Sequence, residues 1–282
     1  MKIGFVIVNY NDYKTTTKLI NNIKNYKCLN KIVIVDNNST DDSYKKLKKL
    51  ENKKISVIKN DSNSYASGLN FGAKYLIDNI GECNIIFSNS DIIVKDEKDI
   101  IELSNTTKKH SIGVVGPVVN QHGIYSKGWP VPTANKEILF NLPYISRYFR
   151  KEFLNYNESH YDEDISIVGA VSGCFFLVNS KVLEEVNYFD TNTFLYYEEN
   201  ILAKKIEKTN YQIAINNKVE VIHDHSFSIY KSVTSVNKYK ILKESQHYFV
   251  KNYLNSNKLK LLLLWMTNKL SLLILKLRVI IK

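Results

Sequence analysis

The 282-residue chain reads as an α/β protein, with a mixed, mostly parallel sheet flanked by helices and a helical extension at its C-terminal end. Three observations predict this. Short apolar runs alternate with helix-like segments through the first half, the arrangement that covers a parallel sheet on both faces. Apolar residues make up 44 % and charged residues 24 %, which is too apolar for a disordered chain and sufficient for a proper core. Residues 251–282 are leucine-rich and helical in period.

The elements follow in order. Ile3–Val8 is an apolar run that meets Asn9, Asn11 and Asp12 with no small-residue cleavage site, so it is expected to be a first strand and not a leader. Further strands are expected at Lys31–Val35, Ile55–Ile58 and Asn84–Phe87. Helices are expected near Tyr13–Asn25, Asp42–Leu50, Ser67–Asp78 and Asp96–Thr106. All four prolines fall between Pro117 and Pro143, in a stretch with Trp129 that reads as loop or lid. An apolar segment, Ile165–Val178, is followed by a helix near Lys181–Val186. Phe194 to Glu199 leads into a helix ending at about Lys208, and Lys218–Ile222 reads as a last strand. The expected division is 1–230 for the main domain, with halves 1–115 and 116–230, and 231–282 for the helical extension.

The formal charge of +11 is concentrated in the tail. Residues 251–282 hold seven basic residues and no acidic one, whereas the first 250 carry only +4. Lys260, Thr267, Ser271, Arg278 and Lys282 recur at steps of seven and four along one side of a helix, opposite a broad Leu/Ile/Trp face. That pattern suits a helix lying in a membrane surface; a helix packed on the domain is the alternative. Nucleic acid is not expected, because the basic residues alternate with leucine and not with stacking aromatics. No run reaches the roughly 18 uninterrupted apolar residues of a membrane span. Cys28, Cys83 and Cys174 lie far apart, which excludes a disulfide scaffold or zinc ribbon and suits a reducing compartment.

In a parallel sheet the ligand crevice lies at the carboxyl ends of the strands. Here those ends are Asn9-Tyr10-Asn11, Asp36 to Asp41, Asn60 to Asn63 and Asn89-Ser90-Asp91, all rich in Asn, Asp and Ser. One such end is ordinary turn chemistry; four on one edge make a polar site. No GxGxxG follows the first strand, so a conventional dinucleotide site is not expected, and no GxxxxGK[ST] is present, so a P-loop cradle is absent. Asp36 suits a ribose or base edge, or an N-cap. Asp91 with a nearby amide suits Mg²⁺ or Mn²⁺ that completes its shell with diphosphate and water. Asn63 to Gly72 opens a helix with small residues, either for close approach to an anionic ligand or for tight packing on the sheet. Glu198-Glu199, beside Phe194, Tyr196 and Tyr197, suits a general base with a raised pKa, or favourable charge at a helix start. His223-Asp224-His225 offers imidazole to a metal or a diphosphate.

In their order and spacing these pieces resemble the family 2 glycosyltransferases of GT-A fold, a Rossmann-like architecture, and in particular the bacterial rhamnosyltransferase-like branch. The resemblance is carried by Val8 to Asn11, Val35 to Asp41, Asn63 to Gly72, Asn89-Ser90-Asp91, Phe189-Asp190, Phe194 to Glu199 and His223, and spans about residues 1 to 230. It implies a nucleoside-diphosphate sugar donor, UDP- or dTDP-linked, held by Asn9, Tyr10, Asp36, Asn38, Asn63, Ala66, Asn70, Ser90 and Asp91. It implies Mg²⁺ or Mn²⁺ on Asp91, Asn89 and His223, and Glu199 or Glu198 as the base of an inverting transfer. Asp190 and the Ser172-Gly173 turn would shape the acceptor side. The implied acceptor is a polyprenyl-linked saccharide at the inner face of the cell membrane, with the tail helix on that surface. Three positions depart from the family pattern: Asn89 for an acidic residue, Ser64 for a glycine, and Ile201 for an acidic residue two places after Glu199. A nucleotidyltransferase, or a catalytically inactive binding subunit, are the alternatives.

Overall fold

A computed structural model describes residues 1–62, 64–109, 111–142, 145, 148, 155–224 and 235–281, without the side chains of 235 and 278–281. Asn63, Pro143, His225 and Lys282, and the side chain of Arg278, therefore lie outside the described residues.

Strand β1 (Lys2–Asn9) alternates its side chains between two cores. Val6 and Val8 enter one apolar cluster, and Phe5 and Ile7 enter the other. Helix α1 (Tyr13–Ile23) starts where Asp12 accepts a hydrogen bond from the Thr15 amide, and it turns Leu19, Ile20 and Ile23 onto the second cluster. The alternation continues through β2 (Lys31–Asn37), α2 (Ser43–Lys48), β3 (Ile55–Asn60), α3 (Tyr65–Ile80), β4 (Cys83–Ser88), β5 (Ile92–Val94) and α4 (Glu97–Thr106). Strands β1 to β4 pair in parallel in the order β3-β2-β1-β4.

The second half completes the same sheet. Its strands are β6 (Ile112–Gln121), β7 (Ile124–Ser126), β8 (Ile165–Val168), β9 (Phe175–Asn179) and β10 (Gln212–His223). The full order is β3-β2-β1-β4-β9-β6-β10-β5, with β7 on β6 and β8 on β10. Strand β9 runs antiparallel to β4 and to β6, and β6 is parallel to β10. Helices α5 (Ala134–Phe140), α6 (Ser180–Glu185) and α7 (Glu198–Ile206) complete this half.

Two expectations are corrected here. The stretch beginning at Pro117 is not all loop: Pro117 lies inside β6. It sits opposite Asn216, where the register with β10 jumps to Glu220, and a proline is tolerated at such a break because no regular ladder donor is needed. The stretch also contains β7 and α5. The apolar segment Ile165–Val178 is two strands, β8 and β9, joined through the turn at Ser172-Gly173.

Helices α8 (Ser235–Tyr253) and α9 (Lys258–Ile281) form the C-terminal extension. They enclose a third apolar cluster in which Phe249, Val250 and Leu264 meet Ala134 of α5 and Ile201 of α7. That contact explains Ile201, because a carboxylate there would be buried among apolar side chains without a partner.

Candidate active site

The carboxyl ends of β1, β2, β3 and β4 lie side by side, as the register pairs Asn9 with Asp36 and Asn37 with Asn60. Asn9 and Asp36 are both buried. Asn9 Nδ2 donates to Asp36 Oδ2 at 3.0 Å, and Thr16 Oγ1 donates to Asn9 Oδ1 at 2.8 Å. The Ser39 amide donates to Asp36 Oδ1 at 3.1 Å. Asn11 Oδ1 accepts from the Thr40 amide at 2.8 Å. Asn11 and Asn38 both adopt left-handed backbone, with φ of 52° and 61°, which asparagine tolerates better than most residues. Two loops are thus tied into one shelf beside half-buried Tyr10 and exposed Asn38, and Asp36 is the buried carboxylate that organises it.

The opening of α3 is used differently from the ligand cradle expected of it. Methyl groups at Gly68 and Gly72 would lie 2.9 Å from Val8 Cγ1 and 2.5 Å from Val6 Cγ1, so these glycines serve tight packing of the helix on the sheet. Ala66 is likewise fully buried. Ser64 caps the helix by accepting from the Ser67 amide, and its hydroxyl donates to the Thr193 carbonyl at 3.3 Å, which gives this departure a structural task. The Tyr65 amide donates to the Phe194 carbonyl at 3.1 Å, so the loop before α7 occupies part of this helix end. Asn70 binds the backbone of Phe189 in both directions, each at 2.9 Å, and clips α3 to the same loop.

After β4, Asn89 Oδ1 accepts from Tyr65 Oη at 2.9 Å. Ser90 is buried, and so are Asp91 and His223. Asp91 Oδ1 lies 3.0 Å from His223 Nε2, and Gln121 Nε2 is 3.1 Å from His223 Nδ1. Burial would hold the imidazole down, but the Asp91 bond and the nearby Cys174 outweigh it and raise His223 to about 10. A carboxylate oxygen and an imidazole nitrogen 3.0 Å apart have the spacing of adjacent ligands around an octahedral ion with bonds of about 2.1 Å. The donor set fits a divalent ion whose other ligands come from substrate and water. Among the described residues no cluster of three His, Cys, Asp or Glu offers a closed metal cage.

Facing this side, Glu199 Oε1 accepts from the Gly173 amide at 3.0 Å. Gly173 is required for the approach, since a methyl group there would lie 2.1 Å from that oxygen. The adjoining Cys174 carbonyl accepts from the Asn89 amide at 2.8 Å. The turn Ser172-Gly173-Cys174 therefore holds the β4 end with one residue and the α7 carboxylate with the next. Burial, then the charge of Glu199, raises Glu198 to about 8, and burial also raises Glu199. Glu198 is buried with its Oε1 lacking a hydrogen-bond partner among the described residues, whereas Glu199 is partly exposed.

The backbone before these carboxylates is strained: Tyr196 and Tyr197 are both left-handed, with φ of 77° and 71°. Helix α8 holds the segment in place. Ser245 Oγ donates to the Leu195 carbonyl at 2.7 Å, and Tyr248 Oη and Tyr253 Oη donate to Asp190 Oδ2 at 2.8 and 2.5 Å. Tyr197 Oη and Gln246 Nε2 both donate to Glu137 Oε2 of α5, at 2.8 and 2.6 Å. Asp190, expected on the acceptor side, is thus the clasp between this segment and α8; its bonds from Tyr253, Tyr248 and both the amide and side chain of Asn192 outweigh burial and keep its carboxyl below the usual range.

Tyr65 is the residue that sequence reasoning passed over. It is half-buried between the two sides, where loss of water and then the charges of Glu198, Glu199 and Asp91 push its phenol well up. The only sign in the sequence was its place within the Asn63 to Gly72 motif.

Comparison with known proteins identifies the family and the fold. The model of the family described as Glycosyl transferase family 2 matches residues 5–186. The low-salt glycan biosynthesis hexosyltransferase Agl10 of Haloferax volcanii is 23 % identical over 224 residues, which are 79 % of this chain and 67 % of that protein. Among solved structures, GalNAc-T7 with UDP, GalNAc and Mn²⁺ superposes with a TM-score of 0.64 at 14 % identity, over 89 % of this chain. This chain spans only 48 % of that one. The mannosyltransferase PcManGT of Pyrobaculum calidifontis, in complex with GDP-Man and Mn²⁺, gives 0.60 at 13 % identity, over 96 % of this chain and 72 % of that one. The expected GT-A architecture is the fold these structures share with the chain.

Proposed function

The chain belongs to glycosyl transferase family 2, and from that premise we propose that it moves a sugar from a nucleoside-diphosphate sugar to a hydroxyl of a lipid-linked saccharide, with inversion. One observation carries the reading. The turn Ser172-Gly173-Cys174 fixes a general-base carboxylate, Glu199, opposite the Asn89-Ser90-Asp91 end that faces His223.

The roles divide as follows. The Asn9–Asp36–Ser39 shelf, with Tyr10 and Asn38, receives the nucleoside. Asp91 and His223 would hold a divalent ion, Mg²⁺ or Mn²⁺, beside the diphosphate. When bound, such an ion supplies Lewis-acid stabilisation of charge growing on the leaving diphosphate. The Asn89 carbonyl accepts from Tyr65, which positions this loop, and its second lone pair leaves it able to join the ligands. Glu199, oriented by the Gly173 amide and partly exposed, takes the proton of the acceptor hydroxyl as that oxygen attacks the anomeric carbon from the side opposite the diphosphate. Glu198, more deeply buried, raises the proton affinity of the pair. Burial of the pair supports a base with a raised pKa.

Agl10 is by its description a hexosyltransferase of glycan biosynthesis, which supports a hexose or deoxyhexose as the transferred group and a saccharide as the acceptor. The rhamnosyltransferase-like motif order supports a bacterial surface polysaccharide as the product, assembled on a polyprenyl diphosphate at the inner face of the membrane. The purified chain, incubated with UDP-, GDP- and dTDP-sugars, Mn²⁺ and a polyprenyl-linked acceptor, is expected to release nucleoside diphosphate and lengthen the acceptor by one sugar. Release of pyrophosphate would instead identify a nucleotidyltransferase. No donor turnover and no donor binding would leave an inactive relative.

A further inference from the structure

Helix α9 presents its apolar side outward. Leu259, Leu263, Met266, Leu270, Leu273 and Leu277, at alternating steps of four and three, form one stripe and are 41 % to 63 % exposed. The other side faces the protein. Leu264 and Ser271 are buried, and Thr267 Oγ1 accepts from Asn141 Nδ2 at 3.0 Å. The stripe expected from sequence to be the polar side is therefore the side that docks on α5 and α8, and the leucines are left without a covering element among the described residues. So regular an apolar row on an exposed helix marks an interaction surface.

We infer that this outward face of α9 seats the protein on an anionic lipid surface. Charge selects that occupant. Lys258, Lys269 and Lys276, spaced by eleven and seven residues, line one edge of the stripe, and residues 251–282 contain no acidic residue. A second copy docked through the same face would bring basic edges together with no acidic group on either helix to meet them. Trp265 stands on the lysine edge, with Lys269 Nζ 5.7 Å from its ring centroid. An aromatic ring beside lysines at the border of an apolar face is the arrangement that rests at the headgroup level. Among the described residues no helix is long and apolar enough to cross a membrane, so the helix lies along the surface.

The inference does not depend on the reaction proposed above, and its test uses no catalysis. The full chain is mixed with phosphatidylcholine vesicles, or with vesicles that also contain phosphatidylglycerol, and sedimented. Binding to the anionic vesicles alone is expected, weakening with salt. The Leu270→Glu/Leu273→Glu variant is expected to bind at least about tenfold less well. The Lys258→Gln/Lys269→Gln/Lys276→Gln variant is expected to lose about a hundredfold. These side chains are exposed, so unchanged melting temperatures show that both variants fold. Wild-type chain left in the supernatant with both vesicle types would overturn the inference, as would leucine variants that bind like wild type. A dimer in light scattering that Leu270→Glu/Leu273→Glu converts to monomer, with no vesicle binding, would give the face to a second copy and also overturn it.

Discussion

A single hydrogen at Gly173 sets where Glu199 sits, because a methyl group in its place would meet the carboxylate at 2.1 Å. Gly173→Ala is expected to lower kcat about a hundredfold, the usual consequence of displacing a catalytic group by an ångström, with donor KM and melting temperature nearly unchanged. Glu199→Gln is expected to lower kcat by about 10² to 10⁴ in the same assay while the fold persists. The Glu198 carboxyl has a second consequence, because burial and Glu199 raise it to about 8 in the folded chain. The folded state then holds this proton more tightly than the unfolded one. Its effect on stability is most favourable below the ordinary value of 4.5 and declines as pH rises through about 8. Thermal melts at about pH 5 and pH 9 are expected to show this decline, and Glu198→Gln to flatten it; equal slopes would refute the assignment. At this scale the sequence displayed the reactive types, Asp91, His223, Glu198 and Glu199, because carboxylates and imidazole following strand ends are visible as such. What joins them was not visible. Tyr65 with Asn89, Asn89 with Cys174 and Gly173 with Glu199 are contacts across 24 to 85 positions of chain, and no periodicity encodes them.

Helix α3 and strand β1 show how an element is committed by packing. Gly72 lets the helix lie against Val6, and a methyl group there would come within 2.5 Å of Val6 Cγ1. Gly72→Ala is expected to destabilise the fold by about 1–3 kcal/mol, read as a lower denaturation midpoint, because the helix must move off the sheet. The first four strands and the helices between them were legible, since each is a plain apolar run or a helical period bounded by Asn, Asp or Gly. The region from residue 112 to 140 was not. A proline inside β6 is permitted by a register break that only the pairing with β10 reveals, and α5 is too short for a clear period. The small residues of α3 were legible as a motif, but their use was ambiguous until Val6 and Val8 were seen against them.

Across the whole molecule, the segment that leads to the carboxylates is held from the far end of the chain. Asp190, Leu195 and, through Glu137, Tyr197 are all bonded by residues 245–253 of α8. Asp190→Ala removes the acceptor of two tyrosine hydroxyls and is expected to destabilise the fold by about 1–3 kcal/mol. It is also expected to lower kcat more than donor affinity, which single-turnover measurements separate from binding. The extension was legible as helical and basic, yet its inward attachment was not, because the tyrosines that make it read as ordinary aromatic content. The order of synthesis gives this clasp a temporal meaning. The shelf of Asn9 and Asp36 lies among the first strands to leave the ribosome, while Tyr248 and Tyr253 arrive some two hundred residues later. A nascent chain thus acquires the shelf proposed to hold the nucleotide long before the helix that seats the proposed base, and the proposed site is completed late in its making.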